Sequence, residues 1–196
     1  FMTNCGVKLN RSFSLTLTAS MTRPLTTEED EAIRRPESWG VLSAQSMGAT
    51  VRLTKDRRIL IRNTAEVWPQ QNMSVADIEL RKSIHLKGIK RRFPQLGDDI
   101  IESTWSGTIC LSGNSANVFS ELENGMFAAG CYNASGIGLG ILFGTEIANF
   151  ASGKMTDEIL LIQTNSAPML LPPQPFLRWG VGLRLLRDRF LARHEQ

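Results

Sequence analysis

The stretch "GCYNASGIGLG", residues 130–140, carries four glycines in eleven positions, and few folds accommodate it. It follows the apolar run "MFAA" and precedes "ILFGTEIANFASG", which has the composition of a helix ending at Gly153. Strand, glycine-rich turn and helix in that order can cradle phosphates, because the turn lets backbone come close and the helix start offers free N–H groups. The pyrophosphate fingerprint G-x-G-x-x-G/A is nevertheless not met. Counted from Gly136 its sixth position is Ile141, and counted from Gly138 it is Phe143. A second use of the geometry survives: a backbone passing close to a flat ligand, with the positive end of a helix facing a group that becomes negative. Tight packing of a helix on a sheet uses the same glycines, and this stretch alone leaves both readings open.

Upstream, "SFSLTLTASMTRPLT" alternates and is rich in β-formers, which predicts a strand ending near Pro24. "TTEEDEAIRRPES" predicts a short surface helix, with an N-cap Thr, acidic residues first, basic residues last and a stop at Pro36. "WGVLSAQSMGATVRLT" and "RILIRNTAEVW", joined by "KDR", predict a hairpin or meander. Ser74 with Asp77 opens a helix whose apolar face is Val75, Ile78, Leu86, Ile89 and Phe93, bordered by His85 as a packed or half-exposed residue. Pro94 to Asp99 marks a boundary. "DIIESTWSGTICLS" and "NGMFAAGC" then predict strands, with Trp105 expected in the core. After the helix that follows Gly136, "PMLLPPQP" is a proline-rich connector. A final helix spaces Trp179, Leu183, Leu186 and Phe190 along one stripe, with arginines elsewhere. That helix is expected to dock on the protein's own body in preference to a membrane surface.

Charge and the scarcity of certain residues narrow the function classes. The net charge is +3, and residues 178–196 hold five Arg against Asp188 and Glu195, so 1–177 is neutral. A basic tail on a neutral body disfavours nucleic-acid binding. Cys5, Cys110 and Cys131 stand far apart in sequence and form neither a disulfide framework nor a zinc spacing, so a reducing, cytoplasmic compartment is expected. His85 and His194 are the two histidines, which argues against a His-based metal site or a Ser-His-Asp triad; no metal is expected. The best apolar run, from Ile137 to Phe150, is interrupted by Glu146 and is too short to span a bilayer. The segment "FMTNCGVKLNRS" lacks the apolar core of a signal peptide, and the chain opens on Phe1 rather than Met.

Taken in order, "RPLTTEEDEAI", "VRLTKDRRILIRN", "WSGTICLS" and "MFAAGCYNASGIGLGILFGTEIANFASG" resemble the C-terminal half of FAD-dependent amine and amino-acid oxidoreductases. This is the D-amino acid oxidase, glycine oxidase and sarcosine oxidase superfamily, and especially its γ-glutamylputrescine oxidase-like branch. The resemblance covers residues 10 to 180, and its most specific element is Cys131-Tyr132-Asn133, a small residue, Ser135-Gly136 and the glycine-spaced helix. It implies an α/β fold, α+β in the substrate part: an antiparallel substrate-domain sheet with helices, then the closing strands and helix of a split FAD-binding domain. The implied divisions are 1–98 for the substrate domain, 99–160 for the end of the FAD-binding domain, and 161–196 for the connector and basic helix.

By the same resemblance the cofactor is FAD, the substrate is a small amine or amino acid, and a hydride leaves the substrate carbon for the flavin. Asn133, Ala134, Ser135, Gly136, Ile137 and Gly138 would line the flavin, with the helix aimed at its pyrimidine edge. Tyr132, the one tyrosine, would cap the substrate pocket or serve as a buried structural residue. The family's strand "RIL-R" corresponds to Arg58 to Arg62. One of Arg52, Arg58 and Arg62 would anchor a substrate carboxylate, the alternative for each being a solvated surface charge. Two departures stand out. Ala134 occupies a position where such loops have Gly, and the G-x-G-x-x-G turn that holds the ADP part of FAD is absent from this sequence. The expectation is therefore a missing N-terminal portion or a second polypeptide carrying that turn. The alternative is a non-catalytic or degenerate subunit that keeps the fold, binds a partner chain and holds no flavin by itself.

Overall fold

The computed structural model of the chain describes residues 11–67, 73–123 and 125–195; Cys5 and Trp68 lie outside them. Within them two compact units are formed, one from residues 16–108 with 179–195, the other from 11–15 with 109–178.

The first unit is built on a five-stranded sheet of order β2-β3-β4-β1-β5. Its strands are β1 (Phe13–Thr22), β2 (Trp39–Leu42), β3 (Thr50–Leu53), β4 (Ile59–Glu66) and β5 (Ile101–Leu111), of which β1 and β5 run on into the second unit. Of the two readings, hairpin or meander, the meander is found: the stretch before "KDR" holds two strands, β2 and β3, antiparallel to each other and followed by β4. Arg57, at φ 59, turns the chain between β3 and β4.

Helix α1 (Thr27–Ala32) starts as expected, with Thr26 and Glu29 closing a reciprocal capping box. It stops well before Pro36, because Arg34 and Arg35 take left-handed backbone at φ 68 and 42. Helix α2 (Val75–Arg92) is capped by Ser74 and Asp77 in the same way. Of the expected inner face Ile89 is buried and Leu86 and Phe93 pack half-buried against the core. Val75 is instead exposed, and Arg81, His85 and Gly88 are buried in addition. A Cβ at Gly88 would stand 2.8 Å from Ile61 Cδ1 and 2.7 Å from Asn63 Nδ2, so glycine is what lets α2 press onto β4.

His85, read as packed or half-exposed at the edge of that face, is packed and fully buried. β1 turns Thr18 and Ser20 inward beneath it. Ser20 Oγ lies 2.7 Å from Nδ1 and from Thr104 Oγ1, and Thr18 Oγ1 lies 3.2 Å from Nε2. Both ring nitrogens thus have partners, which is how an apolar layer tolerates an imidazole. Beside this polar patch, Leu53, Ile59, Ile61, Ile89, Leu96 and Ile100 make the dry core. Trp105, expected there, stands 41% exposed on β5.

Helix α5 (Phe176–Leu191) docks on this unit through Leu185, which packs with Met47, Ala65 and Ala192. Arg189 donates to Ala65 O at 2.7 Å. Docking is as expected, but the docking face is not the expected one: Trp179, Leu183, Leu186 and Phe190 are all exposed.

The second unit holds a two-stranded antiparallel sheet, β6 (Val118–Glu123) with β7 (Met126–Gly130), then α3 (Gly136–Ala151) and α4 (Asp157–Thr164). β6 and α4 were not foreseen, and Thr156 caps α4 by accepting from Ile159 N at 3.1 Å. Phe119, Phe143, Ile159 and Ile162 form its core, with Phe150 stacked on Phe119 at a ring separation of 5.9 Å.

Candidate functional site

The loop between β7 and α3 is held in an unusual backbone. Cys131, Asn133 and Ala134 have φ of 56, 50 and 72, the left-handed region that favours glycine. Asn133 makes this possible for itself. Its Nδ2 donates to Cys131 O at 2.9 Å, Ser115 O at 3.1 Å and Ala116 O at 3.3 Å. Its Oδ1 accepts from Ser112 N at 2.9 Å. Asn117 Nδ2 adds a bond to Cys131 O at 2.8 Å. The Asn133 side chain is thereby spent on the protein's own backbone, tying the loop to the end of β5.

Tyr132 is half-buried, with its ring edge-on to Phe143 at 5.5 Å. A Cβ at Gly136 or Gly140 would meet the Tyr132 ring at 3.8 and 3.9 Å, ordinary contact distances. Gly138 and Gly144 face open space. Helix packing therefore accounts for part of the glycine spacing and leaves the outer glycines without a packing role.

The start of α3 is open. Ala134, Ser135, Gly136, Ile137 and Gly138 are exposed, Ile137 at 89%. Thr26, Ser74 and Thr156 each cap their own helix with a side-chain oxygen, whereas Ser135 makes no such bond, and no acidic residue lies in the first turn of α3. Its first N–H groups and the positive end of its dipole are thus offered outward.

Cys110 and Cys131, distant in sequence, are brought together beside this loop, and both are free thiols. Their mutual hydrogen bond holds the Cys110 thiol down at about 6 and, with burial, pushes the Cys131 thiol up. Sequence separation hid this pair: Cys110 lies on β5 and Cys131 just after β7.

The three arginines sort themselves on the sheet. Thr50 pairs with Arg62 and Arg52 with Leu60, so Arg52 and Arg62 share one face of β3 and β4, while Val51, Leu53, Ile59 and Ile61 fill the core on the other. Arg58 is engaged by Glu102, Asp56 and Thr22 O. Arg62 is half-buried, donates to Thr50 Oγ1 at 2.6 Å and meets no carboxylate among the described residues. Burial disfavours its charged form and lowers its pKa from the ordinary arginine value, the condition in which an incoming anion gains most. Among the described residues no group of three or more His, Cys, Asp or Glu could hold a metal ion. Nor is any helix among them long and apolar enough to cross a membrane.

Comparison with solved structures gives the same architecture. Glycine oxidase from Geobacillus kaustophilus superposes at a TM-score of 0.60 with 18% identity, over 80% of this chain and 39% of that one. Glycine oxidase from Bacillus cereus ATCC 14579 gives 0.50 and 17%, over 82% and 40%. Fructosyl peptide oxidase from E. terrenum gives 0.52 and 12%, over 88% and 48%. The chain thus spans less than half the length of these structures. No curated protein matches it. The family described as FAD dependent oxidoreductase matches residues 10–150, most of the chain, and with the fold and the glycine loop in place this chain belongs to that FAD-dependent family.

Proposed function

We propose that this chain is the C-terminal portion of a flavoprotein that oxidises a C–N bond of an amine or amino acid. The uncapped start of α3, following a loop fixed in left-handed backbone, is the observation that carries the reading. An exposed helix start without acidic neighbours fits the flat edge of a ring that gains negative charge on reduction. When bound, FAD supplies the acceptor for a hydride from the substrate carbon, leaving an imine that water hydrolyses.

The protein's part is placement. Ala134, Ser135, Gly136, Ile137 and Gly138 present backbone N–H groups to the flavin, while Asn133 keeps the loop in shape from behind. Tyr132 sets the loop's height over α3 and borders the substrate. Arg62, with Arg52 beside it, takes a substrate carboxylate; Arg58 is left to its ion pairs. Residues 1–98 contribute to the substrate domain, 99–160 close the FAD-binding domain, and 161–196 form the connector and tail. The ADP-cradling G-x-G-x-x-G turn comes from an N-terminal portion or a second polypeptide.

The test is a spectrum. Purified with the rest of its protein, the chain is expected to show oxidised-flavin bands at about 370 and 450 nm. These should bleach anaerobically on addition of an amine or amino acid. Absence of the bands returns the reading to a non-catalytic subunit. Flavin that no amine or amino acid bleaches removes the C–N assignment.

A further inference from the structure

The thiols of Cys110 and Cys131 have no part in the placement of a flavin, yet the fold sets them against each other. Cys110 is the next-to-last residue of β5, and Cys131 directly follows β7 at the start of the glycine loop. Both belong to the second unit. Hydrogen bonds tie the two places together from either side. The Ser112 N–H donates to Asn133 Oδ1 at 2.9 Å, and Asn117 Nδ2 donates to Cys131 O at 2.8 Å. The thiols are hydrogen-bonded to each other, and neither is in a disulfide.

The pair is asymmetric. Cys110 is half-buried and also hydrogen-bonded by Ser12, whereas Cys131 is 5% exposed. In the bond they share Cys131 donates and Cys110 accepts, which favours the thiolate on the outer of the two sulfurs. A partly exposed thiolate with a second thiol in contact is the arrangement of a peroxide-sensitive cysteine and its resolving partner.

We propose that Cys110 and Cys131 form a reversible disulfide on exposure to hydrogen peroxide, Cys110 reacting first and Cys131 resolving it. The Cys110 thiolate attacks one peroxide oxygen. An S–O bond forms, the O–O bond breaks, hydroxide leaves, and the sulfur is oxidised by two electrons to a sulfenic acid. The Cys131 sulfur then attacks the Cys110 sulfur. The S–S bond forms as the S–O bond breaks, and the departing hydroxide leaves with the Cys131 proton as water. Oxidation of Cys110 removes the thiolate that held that proton, and the Ser112 hydroxyl beside Cys131 favours its ionised form. Overall, two thiols and one peroxide become one disulfide and two waters, and a dithiol reverses the change. The bridge ties the start of the glycine loop covalently to the end of β5. The proposal needs no flavin and stands apart from that reading.

The experiment is a peptide map of the full chain, reduced, freed of reductant and treated with hydrogen peroxide. Remaining thiols are blocked with N-ethylmaleimide, and the chain is digested without reductant by a protease that cuts after Glu. Cleavage after Glu121 or Glu123 separates Cys110 from Cys131, so the bridge is seen as a joined peptide that dithiothreitol splits. The joined peptide is expected as the main product, with the chain still monomeric on a non-reducing gel. Cys131→Ser should instead accumulate a sulfenic acid at Cys110, trapped by dimedone about tenfold or more above the labelling of Cys131 in Cys110→Ser. The proposal is overturned if peroxide leaves both thiols free, or joins either of them to Cys5 or to a second chain. It is also overturned if dimedone labels Cys131 in Cys110→Ser as readily as Cys110 in Cys131→Ser. The wild-type map decides the bridge even where a variant fails to fold.

Discussion

Ser112 and Asn133 join the end of β5 to the glycine loop: the Ser112 N–H donates to Asn133 Oδ1 across 2.9 Å, while Asn133 Nδ2 holds three carbonyls on the far side. Replacing Asn133 with Ala removes these bonds and leaves a side chain at φ 50 without compensation. Denaturant unfolding should show a loss of about 2–4 kcal/mol. Asn133→Gly loses the same bonds but relieves the backbone, and should be milder by about 1 kcal/mol.

Ala134 keeps a glycine's conformation, φ 72, without being glycine, and its side chain is exposed. Ala134→Gly should therefore stabilise the protein by about 0.5–1 kcal/mol, less backbone strain outweighing the added freedom of the unfolded chain. A lowered melting temperature would show that the methyl makes a contact worth more than the strain.

At Gly136 a Cβ finds its nearest neighbour at 3.8 Å, in the Tyr132 ring, so Gly136→Asp has room and adds a favourable charge at a helix start. Apo stability should be unchanged or slightly raised. Flavin binding should be lost, or the reduction potential of residual flavin lowered, because unit charges about 4 Å apart repel by roughly 4 kcal/mol at an effective dielectric of 20. An unchanged potential in the reconstituted variant would place the flavin elsewhere.

Burial holds His85 at about 4, below its ordinary value of 6.5. Between those values the unfolded chain binds a proton that the native one does not, so stability falls as pH drops from 6.5 towards 4 and levels off below. The loss is about 3 kcal/mol across the window. Unfolding measured against pH should show this slope in the wild type and lose it in His85→Gln. A flat profile in the wild type would mean that the imidazole is hydrated or ion-paired.

Arg62→Met should raise KM for a carboxylate-bearing substrate by about one to two orders of magnitude with a smaller change in kcat, as expected for lost binding of a charged group. Arg58→Met should cost stability through its pairs with Glu102 and Asp56 while leaving KM near the wild-type value.

What could be read from the sequence was what is local. Thr26 with Glu29 and Ser74 with Asp77 announce helix starts within four residues, and the cap chemistry behaves as it does in any peptide. The glycine loop was visible for the same reason. His85 was read as packed or half-exposed, and it is packed; its partners could not be read, because Ser20 and Thr18 lie on a strand more than sixty residues away. The short strand Val118–Glu123 has little alternation to show, and the eight-residue α4 offers too few turns for a clear period. The stripe of α5 was seen as a stripe, but periodicity marks an apolar face without saying what it faces. Asn133 was foreseen at the loop for a ligand's sake; its bonds to Cys131, Ser115 and Ala116 are a matter of three-dimensional reach.

Among the described residues β6 pairs with β7 and with no further strand, which has a practical side. Each keeps a row of backbone N–H and C=O groups along its outer border, and such borders recruit any extended segment that arrives. At high concentration the readiest segment is the same hairpin of a neighbouring molecule. Handling of this chain by itself should then be governed by time and concentration, with slow growth of cross-strand assemblies. A short peptide able to add along β6 or β7 would delay that growth without touching the glycine loop.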